Sequence, residues 1–188
     1  MLPHLRAVPA PELRYGPGAP TEAEARLLGP VSGKRVLVLG CADPAVPAAL
    51  AAQDAKVVAV DPSPDHVAAA RGSGAEVHQV DFADLAFVRA GTIDAAVAAL
   101  SLAGVDDIDR VLRQVHRTMR PQAPFAVSLP HPAAGLVDGR SWFDRSVSDV
   151  FTSMLRTSFA VDVLLEPVPA PGARFPQTLL LRGRKLGS

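Results

Sequence analysis

The residues of this sequence with the type and position to do chemistry stand directly after its apolar runs. The turn Gly40-Cys41-Ala42 closes the run at 36–39, and small residues there would let backbone amides come close to a bound nucleotide. Asp61 ends the next run, 56–60, and falls 21 positions beyond Gly40. At that spacing a carboxylate on a strand–helix–strand unit reaches ribose hydroxyls. Asp81 follows a third run at 76–80, and His131 follows a fifth at 124–129. An imidazole at such an edge is a candidate general base. The turn and the two acids each have a plain alternative: a tight structural turn, a helix N-cap or a solvated loop acid. Cys41 reads as a small packing residue rather than a nucleophile, because no base can be placed beside it.

Elements that would position these groups can be read from periodicity. The unbroken runs 36–39 and 56–60 fit strands buried on both faces, joined through a helix over 45–53. Ser63-Pro64 supplies an N-cap and a pre-set first residue for a short helix continuing over 67–71. Further strands are expected at 76–80, 93–100 and 124–129, with helices at 82–90 and 105–120 between them. Over 105–120 the residues Val105, Ile108, Val111, Leu112, Val115 and Met119 share one stripe, and Asp106–Arg110 and Asp109–Arg113 are spaced as i, i+4 pairs. A helix over 146–158, with Phe151, Met154 and Leu155 inward, precedes two last strands at 160–165 and 178–182. Val46 precedes Pro47, which argues for a late start to the 45–53 helix. The fold these elements predict is α/β: a doubly wound, seven-stranded sheet whose last two strands form an antiparallel hairpin. Gly40, Asp61, Asp81 and the strand end at Ala98 and Ala99 would then share the ligand-binding edge.

Composition sets the partner class. The 188 residues carry a formal net charge of zero and no charge runs, so neither nucleic acid nor an anionic membrane is expected. The apolar runs are too short to span a bilayer, and the N-terminus lacks the apolar core of a signal peptide, so a cytoplasmic protein is expected. A lone cysteine excludes an internal disulfide and a cysteine-rich metal site. Residues 1–20, rich in proline and glycine, read as an extended arm carrying Tyr15. Thr21 then opens a capping box with Glu24, and 21–188 form one domain. A small molecule is the expected partner, and a homodimer stays compatible with this reading.

Taken together, VLVLGCADPA, VAVD, QVDFADL and IDAAVAALSL resemble the first motifs and the following strand of class I S-adenosylmethionine-dependent methyltransferases, which have a Rossmann-like sheet. The lead-in YGPGAPTEAEARLLG is similar to that of a bacterial small-molecule subgroup, and the likeness runs from Tyr15 to Arg182. It implies S-adenosylmethionine as cofactor, with Gly40, Cys41 and Ala42 cradling the methionine moiety. It also implies Asp61, with Pro62 beside it, on the ribose; Asp81 and Phe82 at the adenine; Ala98 and Ala99 on the neighbouring strand end; and Tyr15 closing over the cofactor or anchoring the arm. His131-Pro132 and the segment 140–145 resemble family segments that face the acceptor, where Trp142 and Phe143 line a substrate pocket or fill core. No metal is implied.

The glycine-rich turn departs from the family's pattern. Val38 replaces an acid, Ala42 a second glycine and Pro44 a third. Val38 offers no acceptor to a ligand ammonium group, and Pro44 has no N–H for its carboxylate. Methyl transfer to a small-molecule acceptor is the leading reading, since it asks mainly for positioning in a dry site. Alternatives are a non-catalytic methyltransferase-like binding or assembly protein, and an NAD(P)-dependent oxidoreductase. The last leaves Asp81 without a role and lacks a Tyr-x-x-x-Lys pair.

Overall fold

The computed structural model describes residues 11–137, 145–168 and 171–187. Its centre is a seven-stranded sheet in the order β3-β2-β1-β4-β5-β7-β6. The strands are β1 Arg35–Leu39, β2 Lys56–Asp61, β3 Glu76–Gln79, β4 Ala95–Ala99, β5 Pro124–Pro130, β6 Phe159–Leu165 and β7 Thr178–Lys185. β1 to β5 are parallel, and β7 runs antiparallel between β5 and β6. This is the expected doubly wound α/β sheet with its reversed C-terminal hairpin. From β1 the chain winds outward to β3 and then returns to the other side of β1 as β4. A crevice beyond the carboxyl ends of β1 and β4 is therefore the place for a ligand.

The helices are α1 Glu22–Ala25, α2 Ala45–Ala51, α3 Pro64–Ala70, α4 Ile108–Thr118, α5 Pro132–Val137 and α6 Val147–Arg156. Successive residues of β1 feed opposite faces of the sheet. Leu37 and Leu39 enter a core with Leu112 and Val115 of α4 and Met154 of α6. Val36 and Val38 enter another with Leu50 of α2, Ala70 of α3, and Leu13, Tyr15 and Leu27 from the N-terminal segment. Strands covered on both faces are apolar throughout, which is why they read as unbroken runs.

Several elements differ from expectation. Residues 82–90 form turns, not a helix. Phe82, Leu85 and Val88 are buried at a spacing of three that imitates a helical stripe, while Arg117 takes the carbonyls of Val88 and Leu85 at 3.0 and 2.6 Å. The chain from β3 to β4 thus crosses without a helix. α4 begins at Ile108 with Asp107 accepting from the Arg110 amide at 2.9 Å. Asp106 lies outside that helix, and neither expected i, i+4 pair forms an ion pair among the described residues. α6 buries Val150, Ser153 and Met154. Phe151 and Leu155 face outward, 37% and 50% exposed, because the buried stripe lies one position before theirs. α2 starts at Ala45 and accommodates Pro47 in its first turn, where a missing N–H leaves no helical bond unmade. Residues 1–10 of the arm, Trp142 and Phe143 lie outside the described residues.

Candidate functional site

Two backbone departures build the edge of the crevice. Gly40 follows β1 at φ +98°, and a Cβ on it would come within 2.2 Å of the Ser101 Cβ. Ser101 itself donates from Oγ to the Leu39 carbonyl at 2.5 Å. Glycine is required here by the close approach of the chain after β4. Leu100 then takes a left-handed φ of 60°, held by its amide donating to both the carbonyl and the hydroxyl of Ser128 at 3.1 Å. Strain of this kind persists only where neighbours over-determine it, as at ligand sites.

A cleft of about 570 Å³ opens at this edge, walled by residues 14–19, by Asp43 and Val46, and by Ala99 and Leu100. The N-terminal segment forms its outer wall through fixed contacts. Ser128 Oγ donates to the Tyr15 carbonyl at 2.5 Å, and Thr178 Oγ1 donates to the Pro17 carbonyl at 2.8 Å. The Tyr15 side chain is fully buried, and its hydroxyl donates to Glu22 at 2.5 Å. Burial, followed by the charge of Glu22, pushes this phenol well above its ordinary range. Tyr15 therefore contributes to the cleft as an anchor whose hydroxyl is already engaged.

Asp61 is 3% exposed. Its Oδ2 accepts from the Cys41 amide at 2.7 Å and its Oδ1 from the Ser63 amide at 2.8 Å. The His66 Nδ1 lies 3.2 Å from both oxygens. This carboxylate binds the glycine turn to the start of α3. Cys41 is wholly buried, and burial together with the Asp61 charge pushes its thiol up to about 11. Ala42 and Pro62 are exposed beside it, and Ala98 is buried in the sheet. Asp81 is exposed and accepts from the Ala83 amide at 2.8 Å. Phe82, 9% exposed, packs into the core shared with Leu39.

His131, 8% exposed, accepts at Nδ1 from the Ala133 amide at 3.1 Å, so Nε2 carries the proton it donates to Glu166 at 2.8 Å. Both ring nitrogens are engaged, and His131 is not among the residues lining the 570 Å³ cleft.

Hydrogen bonds thus join Gly40-Cys41 to Asp61, and the cleft joins Tyr15 to Ala99, whereas Asp81 and His131 stand apart from both groups. Asp43, His66 and Ser101 are features that reading the sequence passed over. Asp43 precedes Pro44 at a helix start, a typical place for a capping acid, and its Oδ1 accepts from the Ala45 amide at 3.0 Å. His66 is the third residue of the helix that Ser63 caps, and its ring reaches back to Asp61.

The sheet order, the reversed last strand and a glycine turn tied to the acid after β2 define a nucleotide-cofactor α/β domain of the methyltransferase type. Residues 37–127 match the family described as a methyltransferase domain, which supports the resemblance to class I S-adenosylmethionine-dependent methyltransferases. The fold is shared with a candidate S-adenosylmethionine-dependent methyltransferase from Listeria monocytogenes (TM-score 0.76, 20% identity, 88% of this chain and 98% of that one). It is also shared with an S-adenosylmethionine-dependent methyltransferase from Mesorhizobium loti (0.69, 22%, 87% and 96%). A third similar structure is geranyl diphosphate C-methyltransferase from Streptomyces coelicolor A3(2) (0.70, 10%, 88% and 76%). No curated protein matches the sequence.

The methyltransferase-domain match implies S-adenosylmethionine as the cofactor. Acids stand after β2 and β3, where the adenosine half would lie, and Asp43 lines the cleft, whereas Val38 is fully buried. The carboxylate of the methionine half finds fewer partners. Pro44 and Pro47 have no N–H, and the Ala45 and Val46 amides donate to the Asp43 side chain and carbonyl. No helix of the described residues is long and apolar enough to cross a membrane.

Proposed function

We propose that this chain transfers a methyl group from S-adenosylmethionine to a small-molecule acceptor in the cytoplasm. The acceptor enters beside the cleft between the N-terminal segment and the end of β4. The observation that supports this most is that the cleft lies between the end of β4 at Ala99 and the start of α2 at Asp43 and Val46, directly after the Gly40 turn. One wall, residues 14–19, belongs to a segment fixed by Ser128 and Thr178. A site roofed by a narrow chain segment suits a small acceptor better than a polymer, and the net charge of zero agrees. The bound cofactor supplies a methyl group on a sulfonium that already carries its leaving group. Protein groups then have to bind, orient and exclude water. Asp61 and Pro62 would hold the ribose, Asp81 and Phe82 the adenine edge, Gly40 to Ala42 with Ala98 and Ala99 the methionine chain, and Asp43 its ammonium group. Tyr15 would keep the roof in place. His131 would serve as base only after releasing Glu166 and moving its proton from Nε2 to Nδ1, which breaks the Ala133 contact.

Calorimetric titration with S-adenosylmethionine, S-adenosylhomocysteine and NADH tests the cofactor. Binding of both adenosyl ligands and not of NADH is expected, and the reverse pattern overturns the reading. Incubation with methyl-labelled cofactor and a cell extract tests the acceptor. Label is expected in the small-molecule fraction, and label confined to protein or RNA would refute a small acceptor. A second reading, a methyltransferase-like binding protein without turnover, is favoured by the engaged amides at the start of α2. It requires ligand binding with no label transferred to any fraction.

A further inference from the structure

We propose that His66 sets cofactor affinity at the ribose subsite, because its imidazole occupies the mouth of the Asp61 carboxylate that a vicinal diol has to enter. The inference rests on the reading of Asp61 as the ribose partner. The two amides approach the carboxylate one to each oxygen, Cys41 on Oδ2 at 2.7 Å and Ser63 on Oδ1 at 2.8 Å. His66 Nδ1 is equidistant from the two oxygens, 3.2 Å from each, which centres it on the pair. An ionised carboxylate only accepts, so Nδ1 carries the proton and shares it across the pair. A ribose engaging both oxygens puts one hydroxyl on either side of that same point. Both hydroxyls would then overlap the ring nitrogen, so imidazole and diol exclude each other.

Exposure shows which partner can leave. The Asp61 side chain is 4% exposed and that of His66 is 44% exposed, so of the two the imidazole is the one with solvent to turn to. His66 lies in the first turn of α3, whose buried residues are Val67 and Ala70. Rotation of its side chain outward disturbs neither of them. Binding then exchanges one N–H shared between two oxygens for two O–H donors, and the net affinity is what remains after His66 is displaced.

The test is titration of S-adenosylhomocysteine, and of its 2′-deoxyribose analogue, into the wild-type chain and into His66→Ala. The chain with the imidazole removed is expected to bind S-adenosylhomocysteine at least fivefold more tightly, with a smaller gain for the analogue that lacks one hydroxyl. A second readout needs no variant. On saturation the ring nitrogen resonances of His66 should move from the Nδ1–H form towards the averaged signal of a solvated imidazole. Equal or weaker binding by His66→Ala, or ring resonances unchanged at saturation, would overturn the proposal. If neither protein binds either ligand, the reading of Asp61 as a ribose partner fails and this inference fails with it.

Discussion

Glu22 and Asp61 are carboxylates folded into the chain in similar ways. Glu22 accepts from the amides of Leu27, Leu28 and Gly29 at 3.0, 2.9 and 3.1 Å and from the Tyr15 hydroxyl at 2.5 Å. Asp61 accepts from two amides and the half-exposed imidazole of His66. Among the described residues, every partner of Glu22 is backbone or a fully buried phenol, held in place by the fold of the N-terminal segment. One partner of Asp61 can turn to water. The same chemical device is a fixed lock under the domain and an exchangeable one at the crevice, and the difference lies in the exposure of a single partner.

Breaking the fixed lock should have the largest effect. Glu22→Ala strands the buried Tyr15 hydroxyl and three amides. Leaving buried donors unsatisfied costs about 1–3 kcal/mol each, with some relief from water. A loss of about 3–4 kcal/mol is expected, or a fall in melting temperature of roughly 6–15 °C for a chain of this size. Urea and thermal unfolding would measure it. A loss below about 1 kcal/mol would mean that Glu22 is no lock.

Asp61→Ala should divide its effect between fold and ligand. The Cys41 amide is left buried, while Ser63 and His66 can reach water, so a stability loss of about 1–2 kcal/mol is expected. Affinity for S-adenosylhomocysteine should fall by roughly ten- to a hundredfold, since two hydrogen bonds to a charged acceptor contribute about 1.5–3 kcal/mol. Unfolding and calorimetry on one preparation separate the two terms. Unchanged affinity in a folded variant would remove Asp61 from the cofactor site and leave it as a second structural lock.

The contrast between the two carboxylates was only half legible in the sequence. β1, β2, β4 and β5 could be read because burial on both faces leaves unbroken apolar runs. Asp61 could be placed because strand-end position follows from those runs. Its partners could not, since they depend on how Ser63 starts α3 and on where that start points His66. Tyr15 shows the same limit. Its position ahead of a capped helix marks it, but spacing does not say whether the hydroxyl faces a ligand or Glu22. Residues 82–90 and the outward Phe151 and Leu155 misled for a related reason. Apolar residues three apart fit a helix or a run of turns, and one position of rotation moves a stripe off the core.

Cys41 reports on the exchangeable lock without any ligand. With its thiol held up at about 11 by burial and then by the Asp61 charge, the folded chain should resist alkylation at pH 8 and react only as it unfolds. The folded state binds this proton more tightly than the unfolded state, whose ordinary value is 9.0. The stability this contributes is complete below pH 9 and is lost as pH rises through 11. Cys41→Ala should flatten that decline, and Asp61→Asn should raise the alkylation rate modestly by removing the second cause. Alkylation at pH 8 as fast in the folded chain as in urea would show an open thiol and a looser turn.

The smallest effect is expected at the start of α2, and it asks how far this turn has moved from cofactor binding. Restoring an acid at Val38 is no remedy. That side chain is fully buried in the core with Leu13 and Leu50, and a carboxylate there would cost several kcal/mol unless it found partners. Pro44 differs, because it caps α2 at φ −66° on an exposed turn, an angle that alanine adopts freely. Pro44→Ala should therefore change stability by less than about 1 kcal/mol, mostly by freeing the unfolded chain. It adds one amide at the helix start, where Pro44 and Pro47 have none and the Ala45 and Val46 amides already serve Asp43. One recovered hydrogen bond to a carboxylate, partly exposed to water, amounts to a two- to fivefold gain in affinity for S-adenosylhomocysteine. Adenosine, which has no carboxylate, should show no gain in the same titration. A gain for both ligands would come from a looser turn rather than a new donor. No gain for either would show that the cofactor's carboxylate is held away from α2, by groups that the family's glycine pattern does not mark.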